Sequence, residues 1–292
     1  MINIEKQKNY GLFFSATVII AYLFSAILSA PLLKLGDYGI VANAVQPILI
    51  TGLCILFVKK SGEKLSDVFP VKKINLLAVL SALLCFIGLF FGIGRINVDL
   101  SEFLQDIGVN IGNMDFKLKG VWHYIVSVLS LSVAPAVGEE LLFRGVLLFA
   151  LYKFCGKVDT LKKQLLICVI SGGMFALFHK NLAQIIYQFC YGFILSALVI
   201  RTQNMILAMI MHALNNFIIL THAFFWGVEL YTTKTFVIGL LSLFIGLILL
   251  LLFVNPPKAE NSKEKLDFKE ILIYLSLSVI FCVVAIILVN FL

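Results

Sequence analysis

Two adjacent glutamates and an arginine stand inside an apolar run, Ala134-Pro-Ala-Val-Gly-Glu-Glu-Leu-Leu-Phe-Arg144. Ionisable groups at membrane depth are costly and are kept where they have a use. On a helix, Glu140 and Arg144 are four residues apart, share a face and can pair. Glu139 is rotated about 100° from that face, which leaves it to meet something else. Two further apolar runs carry histidines, Met174-Phe-Ala-Leu-Phe-His179 and Met211-His-Ala-Leu-Asn-Asn216. His212 and Asn216 share one helix face, as do Phe175 and His179. The plain alternative is that each of these groups only locks helix packing. Two histidines on separate helices beside a third that carries a carboxylate argue for a joint site.

A glutamate, two histidines and an asparagine suit hydrolysis. Glu139, helped by a histidine, takes a proton from water, and the water attacks a carbonyl. The other histidine and Asn216 hydrogen-bond the developing oxyanion. The same set also suits zinc, because two imidazoles and a carboxylate with water in the fourth position form a catalytic ligand set. Its ligands would be Glu139, His179 and His212. No HExxH run is present, so spacing does not favour zinc, and the cofactor expectation stays open between none and zinc. A Gly-x-Ser-x-Gly elbow is absent and no cysteine lies near these groups in sequence, which argues against a serine or cysteine nucleophile.

The elements that must position these residues are membrane helices. The 292 residues are 61% hydrophobic and 13% charged, about half the charge of an ordinary globular domain. The expectation is one all-α, polytopic membrane domain over residues 1–292, a bundle of eight to nine spans around a polar catalytic cavity. Nine apolar runs reach spanning length: 10–33, 40–58, 74–94, 121–152, 163–179, 183–200, 204–224, 235–254 and 271–291. The first is too long for a cleaved signal and reads as a retained span. The fourth is interrupted by Pro135 and Gly138, so a kink or two helices end to end are expected there, with the glutamates directly after the break. His123 and His222, at span ends, read as interfacial anchors. Gly88-x-x-x-Gly92 suits close helix packing. The segment 95–119 has apolar residues at helical spacing and is a candidate amphipathic helix at the membrane surface. The mixed-charge stretch 255–270 reads as a linker. Six cysteines without a CxxC pair read as small hydrophobes.

Sixteen of the 23 lysines and arginines fall at the N-terminus and in loops 2–3, 4–5, 6–7 and 8–9, and six fall on the opposite side. This bias places the N-terminus in the cytoplasm. The net charge of +7 is therefore topological and implies no nucleic-acid partner. The partners expected are the lipid bilayer and a membrane-associated peptide or protein. With straight helices, His179 falls near the outer end of its span and His212 about 13 Å inside the other face. The two meet Glu139 only if a helix is tilted, kinked or re-entrant, and access is then from the membrane interior or the outer face.

Glu139-Glu140-x-x-x-Arg144, Phe175-x-x-x-His179 and His212-x-x-x-Asn216, in that order, resemble the three motifs of the CPBP family. This is the group of CAAX prenyl endopeptidases and bacteriocin-processing or bacteriocin-immunity (Abi) membrane proteins. The resemblance covers about residues 120–220. It implies a helical bundle of about eight spans, so a ninth would be an addition. It further implies a membrane-embedded endopeptidase in which Glu139 activates water. His179, His212 and Asn216 complete the catalytic site, the last two as oxyanion stabilisers. Glu140, Arg144 and Phe175 support it. Eukaryotic relatives remove the last three residues of prenylated proteins, and members are often called metalloproteases. The Lys-, Ile- and Phe-rich composition points to a bacterial plasma membrane, where prenylated substrates are generally lacking. Two rival readings keep the same helices: a non-catalytic immunity or scaffold protein, and a transporter using the cluster as a proton or ion relay.

Overall fold

The computed structural model describes residues 9–111, 119–155, 158, 160–225, 230–254 and 268–291. Lys6 and Lys8, the last part of the 95–119 segment and most of the 255–270 linker lie outside the described residues. Among the described residues the fold is all-helical, with nine helices long and apolar enough to cross a membrane. They are α1 (Tyr10–Lys34), α2 (Gly36–Ser61), α3 (Leu76–Asp106), α4 (Val121–Lys153), α5 (Leu161–Phe178), α6 (Leu182–Thr202), α7 (Met205–Phe225), α8 (Thr233–Phe253) and α9 (Leu272–Phe291). The ninth span is a genuine helix, and each expected span is found within a few residues, except that the third runs on to Asp106. The first half of the 95–119 segment is thus a continuation of α3, and its Leu104 is buried beside Ala183 and Val109.

The polarity of the bundle suits lipid. Exposed side chains include Leu23, Phe24 and Ile27 on α1 and Leu277, Ile280 and Ile287 on α9, whereas Ser15, Ser81, Ser127, Ser132, Ser171 and Ser196 are buried. Small polar residues let helix backbones approach and bond across the interface where no water competes. Gly88 and Gly92 of α3 lie against Leu243, Gly239 and Leu240 of α8, the close packing expected of their spacing. The six cysteines are free and wholly or partly buried.

α4 is the central helix, in contact with α2, α5, α6 and α7. It is continuous through Pro135 rather than two separate helices. It runs as one helix in which a seven-residue α-helical stretch, Ala134–Glu140, is flanked by wide π-type turns at Leu129–Val133 and Leu141–Leu147. Pro135 has no N–H to offer the preceding turn, and the widened turn falls there. Such turns inside α-helices often mark functional positions.

The connections gather at two ends. At one, the stretch after α2 meets the α6–α7 turn: Val71 bridges Asn204, and Met205 N–H donates to the Pro70 carbonyl. Arg201 Nη1 and Nη2 donate to the Val254 and Leu251 carbonyls at the end of α8, and Gln203 Nε2 reaches Tyr152 Oη. At the other, Asn290 of α9 meets Asn110 and the α5–α6 turn. The loops therefore sort into the two groups that alternate spans require. His123, at that second end, is buried between the rings of Tyr38 and Phe224, while its neighbour Trp122 is exposed.

Candidate active site

Glu140 and Arg144 form the expected i,i+4 pair, with Nη1 donating to Oε1 at 2.8 Å and both side chains fully buried. The same Oε1 lies 2.8 Å from His212 Nδ1. Arg144 Nη2 donates to the Gly192 carbonyl on α6 at 3.1 Å, and its guanidinium lies 4.4 Å from the Phe175 ring centroid, a cation–π contact. Phe175 is thus a platform: its ring meets Arg144 on one side and touches His179 and His212 at centroid distances of 4.6 and 5.8 Å. Gly192 is required for this approach. A Cβ there would stand 2.9 Å from Phe175 Cβ and 3.0 Å from Gly172 Cα.

Glu139 faces away from that pair, as its rotation predicts. Its Oε2 lies 3.7 Å from His179 Nε2 and 3.9 Å from His212 Nε2, and it is buried without a hydrogen-bond partner. Glu139 comes this close because α4 packs against α2, where a Cβ on Gly138 would fall 2.4 Å from the Pro47 carbonyl oxygen. The tautomers follow from the partners. His179 Nδ1 lies 2.8 Å from the Phe175 carbonyl, which can only accept, so Nδ1 carries the proton. His212 Nδ1 meets the Glu140 carboxylate in the same way. Both Nε2 atoms are left to face Glu139. Burial holds the His179 imidazole, one residue beyond the end of α5, down at about 4, against the opposing bond to Phe175 and with help from the His212, Arg144 and Lys180 charges. It is neutral at neutral pH.

The two histidines converge although their places along their helices differ. His179 caps α5, whereas His212 lies eight residues into α7. Glu139 is 18 residues from the start of α4, about 27 Å at 1.5 Å per residue. The first halves of α4 and the last turns of α7 therefore run on past the α5–α6 turn, side by side. Tyr124 Oη bonds Thr221 Oγ1 at 2.7 Å, and its ring meets Phe225.

Asn216 is one turn beyond His212, and its Oδ1 accepts from Asn215 Nδ2 at 3.3 Å. Asn215 is itself oriented by Tyr187 Oη, which donates to its Oδ1 at 2.5 Å. The chain Tyr187–Asn215–Asn216 occupies the Asn216 oxygen and leaves its Nδ2 as a donor. Tyr191 donates to the Met211 carbonyl at 2.8 Å and sets its ring edge-on to His212. Tyr187, Tyr191, Asn215 and the Gly192 carbonyl were not among the residues expected from sequence. The signal available for them is Tyr187-x-x-x-Tyr191 on one face of α6, with Gly192 next in the chain.

A zinc ion held by Glu139, His179 and His212 needs ligand lengths of about 2.0–2.2 Å, hence ligand atoms about 3.4 Å apart in a tetrahedral site. The separations of 3.7 and 3.9 Å are wider, and among the described residues no three His, Cys, Asp or Glu side chains group to hold a metal. Zinc held by these three side chains would need its ligand angles opened beyond tetrahedral.

Comparison with known proteins bears on this segment. Residues 121–218 match the family model for type II CAAX prenyl endopeptidases, Rce1-like. The comparisons with curated proteins and with solved structures give no match. The matched third of the chain carries Glu139, Glu140, Arg144, Phe175, His179, His212 and Asn216. Over that segment the chain, which has nine candidate membrane spans among its described residues, is similar to the Rce1-like type II CAAX prenyl endopeptidases.

Proposed function

We propose that the protein is a membrane-embedded endopeptidase that hydrolyses a membrane-associated peptide or protein by glutamate-activated water. The observation that carries this reading is the group around Glu139. A buried carboxylate oxygen without a partner faces two ring nitrogens whose Nδ1 protons are already committed. Acceptors facing one another at 3.7 and 3.9 Å need a proton donor between them, and a water molecule supplies it. Glu139 takes one proton of that water as it attacks the scissile carbonyl, and His179 Nε2 accepts a hydrogen bond from the O–H that remains.

His212 differs from His179 in its partner. The Glu140 carboxylate accepts its Nδ1–H and fixes the ring, much as an acid orients a catalytic histidine. Asn216 Nδ2 is a donor for the oxyanion, and His212 Nε2 joins it once the ring has taken up a second proton. Arg144 and Phe175 hold Glu140 and both rings in place. Collapse of the tetrahedral intermediate breaks the C–N bond, and the proton held by Glu139 passes to the leaving amine.

The test is cleavage of a library of membrane-associated peptides by the purified protein in nanodiscs, read by mass spectrometry, before and after exhaustive chelation with elemental analysis. Cleavage that persists without stoichiometric metal is expected. Folded protein that cleaves nothing overturns the peptidase reading. Activity lost on chelation and restored by zinc overturns the water-only mechanism.

A further inference from the structure

The turn that carries His179 is built by helices outside the matched segment. α5 ends at Phe178 and the next helical turn starts at Leu182, so His179 begins a three-residue connection with Lys180 and Asn181. Lys180 has φ +53°, a left-handed conformation uncommon in a residue with a side chain. Such a conformation persists where the surroundings over-determine it.

Those surroundings come from α1 and α9. Asn290, in the last turn of α9, is 1% exposed. Its Nδ2 donates to the Lys180 carbonyl at 2.9 Å, and its Oδ1 accepts the Leu182 N–H at 3.2 Å. The same Nδ2 donates to the Ile286 carbonyl one turn back at 2.8 Å, which fixes the plane of the amide. The Asn290 carbonyl accepts the Asn110 N–H at 3.1 Å. From α1, Tyr22 Oη donates to the Phe178 carbonyl, and Lys180 Nζ lies 3.6 Å from the centre of the Tyr22 ring. α1 and α9 are joined to each other, with Ser15 Oγ 3.0 Å from Ser278 Oγ. Phe178, Lys180 and Leu182, around His179, are thus all tied to α1 or α9.

We infer that Asn290 is a positioning residue for His179, with Tyr22 acting on the same turn: the ninth helix sets where the imidazole stands against Glu139. The inference rests on the reading of His179 as part of the active group. A buried amide that satisfies both a carbonyl and an N–H across a chain reversal leaves both unpaired when it is removed. The turn then relaxes, and small misplacement of a catalytic group costs large factors in rate.

The experiment uses the full chain in nanodiscs with ¹⁵N-labelled histidine. Ring-nitrogen resonances are assigned by their loss in His179→Gln and His212→Gln, and kcat and KM are measured separately. Asn290→Leu is expected to move the His179 ring signals, to leave those of His212 in place, and to lower kcat by about tenfold or more with KM within about twofold. Asn290→Asp keeps the acceptor for Leu182 N–H and is expected to recover part of both. If Asn290→Leu does not fold, Tyr22→Phe carries the same readouts through the Phe178 carbonyl. Unmoved His179 signals or an unchanged kcat in a folded variant overturn the inference. Failure of the parent reading looks different: His179→Gln then retains turnover, while the ring signals still report whether Asn290 positions the imidazole.

Discussion

Glu139 and Glu140 are neighbours in the chain, yet their surroundings give them different work. Glu140 Oε1 is held by Arg144 and His212, whereas Glu139 Oε2 faces His179 and His212 at 3.7 and 3.9 Å with no hydrogen-bond partner among the described residues. Glu140→Gln strands a buried guanidinium, and breaking a buried pair in this way costs about 3–5 kcal/mol. Unfolding in detergent is expected to show that loss, whereas Glu139→Gln should leave the midpoint near wild type. Phe175→Leu removes the ring under Arg144, and a desolvated cation–π contact of about 2 kcal/mol should go with it. His179 supplies a pH dependence. Burial depresses its folded value to about 4 from 6.5, so the unfolded chain binds the proton first as pH falls. Stability is full above about pH 6.5 and declines toward pH 4. His179→Gln should flatten that part of the profile.

At the scale of elements, much was legible because lipid imposes a simple rule: a span must be long and apolar. That rule located all nine helices and exposed the few charged or imidazole side chains inside them. The i,i+4 spacing further separated Glu140 from Glu139, and the structure pairs Arg144 as expected. The rest depended on geometry that no local pattern encodes. Pro135 signalled irregularity, but that the chain answers with π-type turns on both sides of Ala134–Glu140 is not written in the local pattern. Position along a helix suggested that His179 and His212 lie at different depths. They meet because α5 ends and α6 begins beside Glu139; hydropathy marks both ends but not their depth relative to α4 and α7. Asn215 and Tyr187 were passed over because an asparagine beside another asparagine and a tyrosine in an apolar run have ordinary packing roles. The Gly192 approach gives a direct check. Gly192→Ala places a methyl against Phe175 and Gly172, and overpacking of this kind costs about 1–3 kcal/mol. A lowered unfolding temperature is expected, together with lost activity as the Arg144 contact to the Gly192 carbonyl loosens.

For the whole molecule, the structure sorts the loops into two ends, and the lysine and arginine bias proposes which end meets the cytoplasm. The paired arms of α4 and α7 extend past the α5–α6 turn, and we propose that the Glu139 group is approached from that end or from the membrane between the arms. On the charge bias, this is the outer side. Asn181→Cys, in the turn beside His179, should react with a membrane-impermeant thiol reagent in intact cells. Reaction only after the cells are opened reverses the orientation and turns the site to the cytoplasm.

The central claim is that Glu139 activates water, and cleavage kinetics of Glu139→Gln beside wild type test it most directly. General-base catalysis contributes about 10²–10⁴-fold. The account predicts that the purified variant, folded and as stable as wild type, cleaves a shared substrate peptide at least a hundredfold more slowly. Turnover within tenfold of wild type contradicts it.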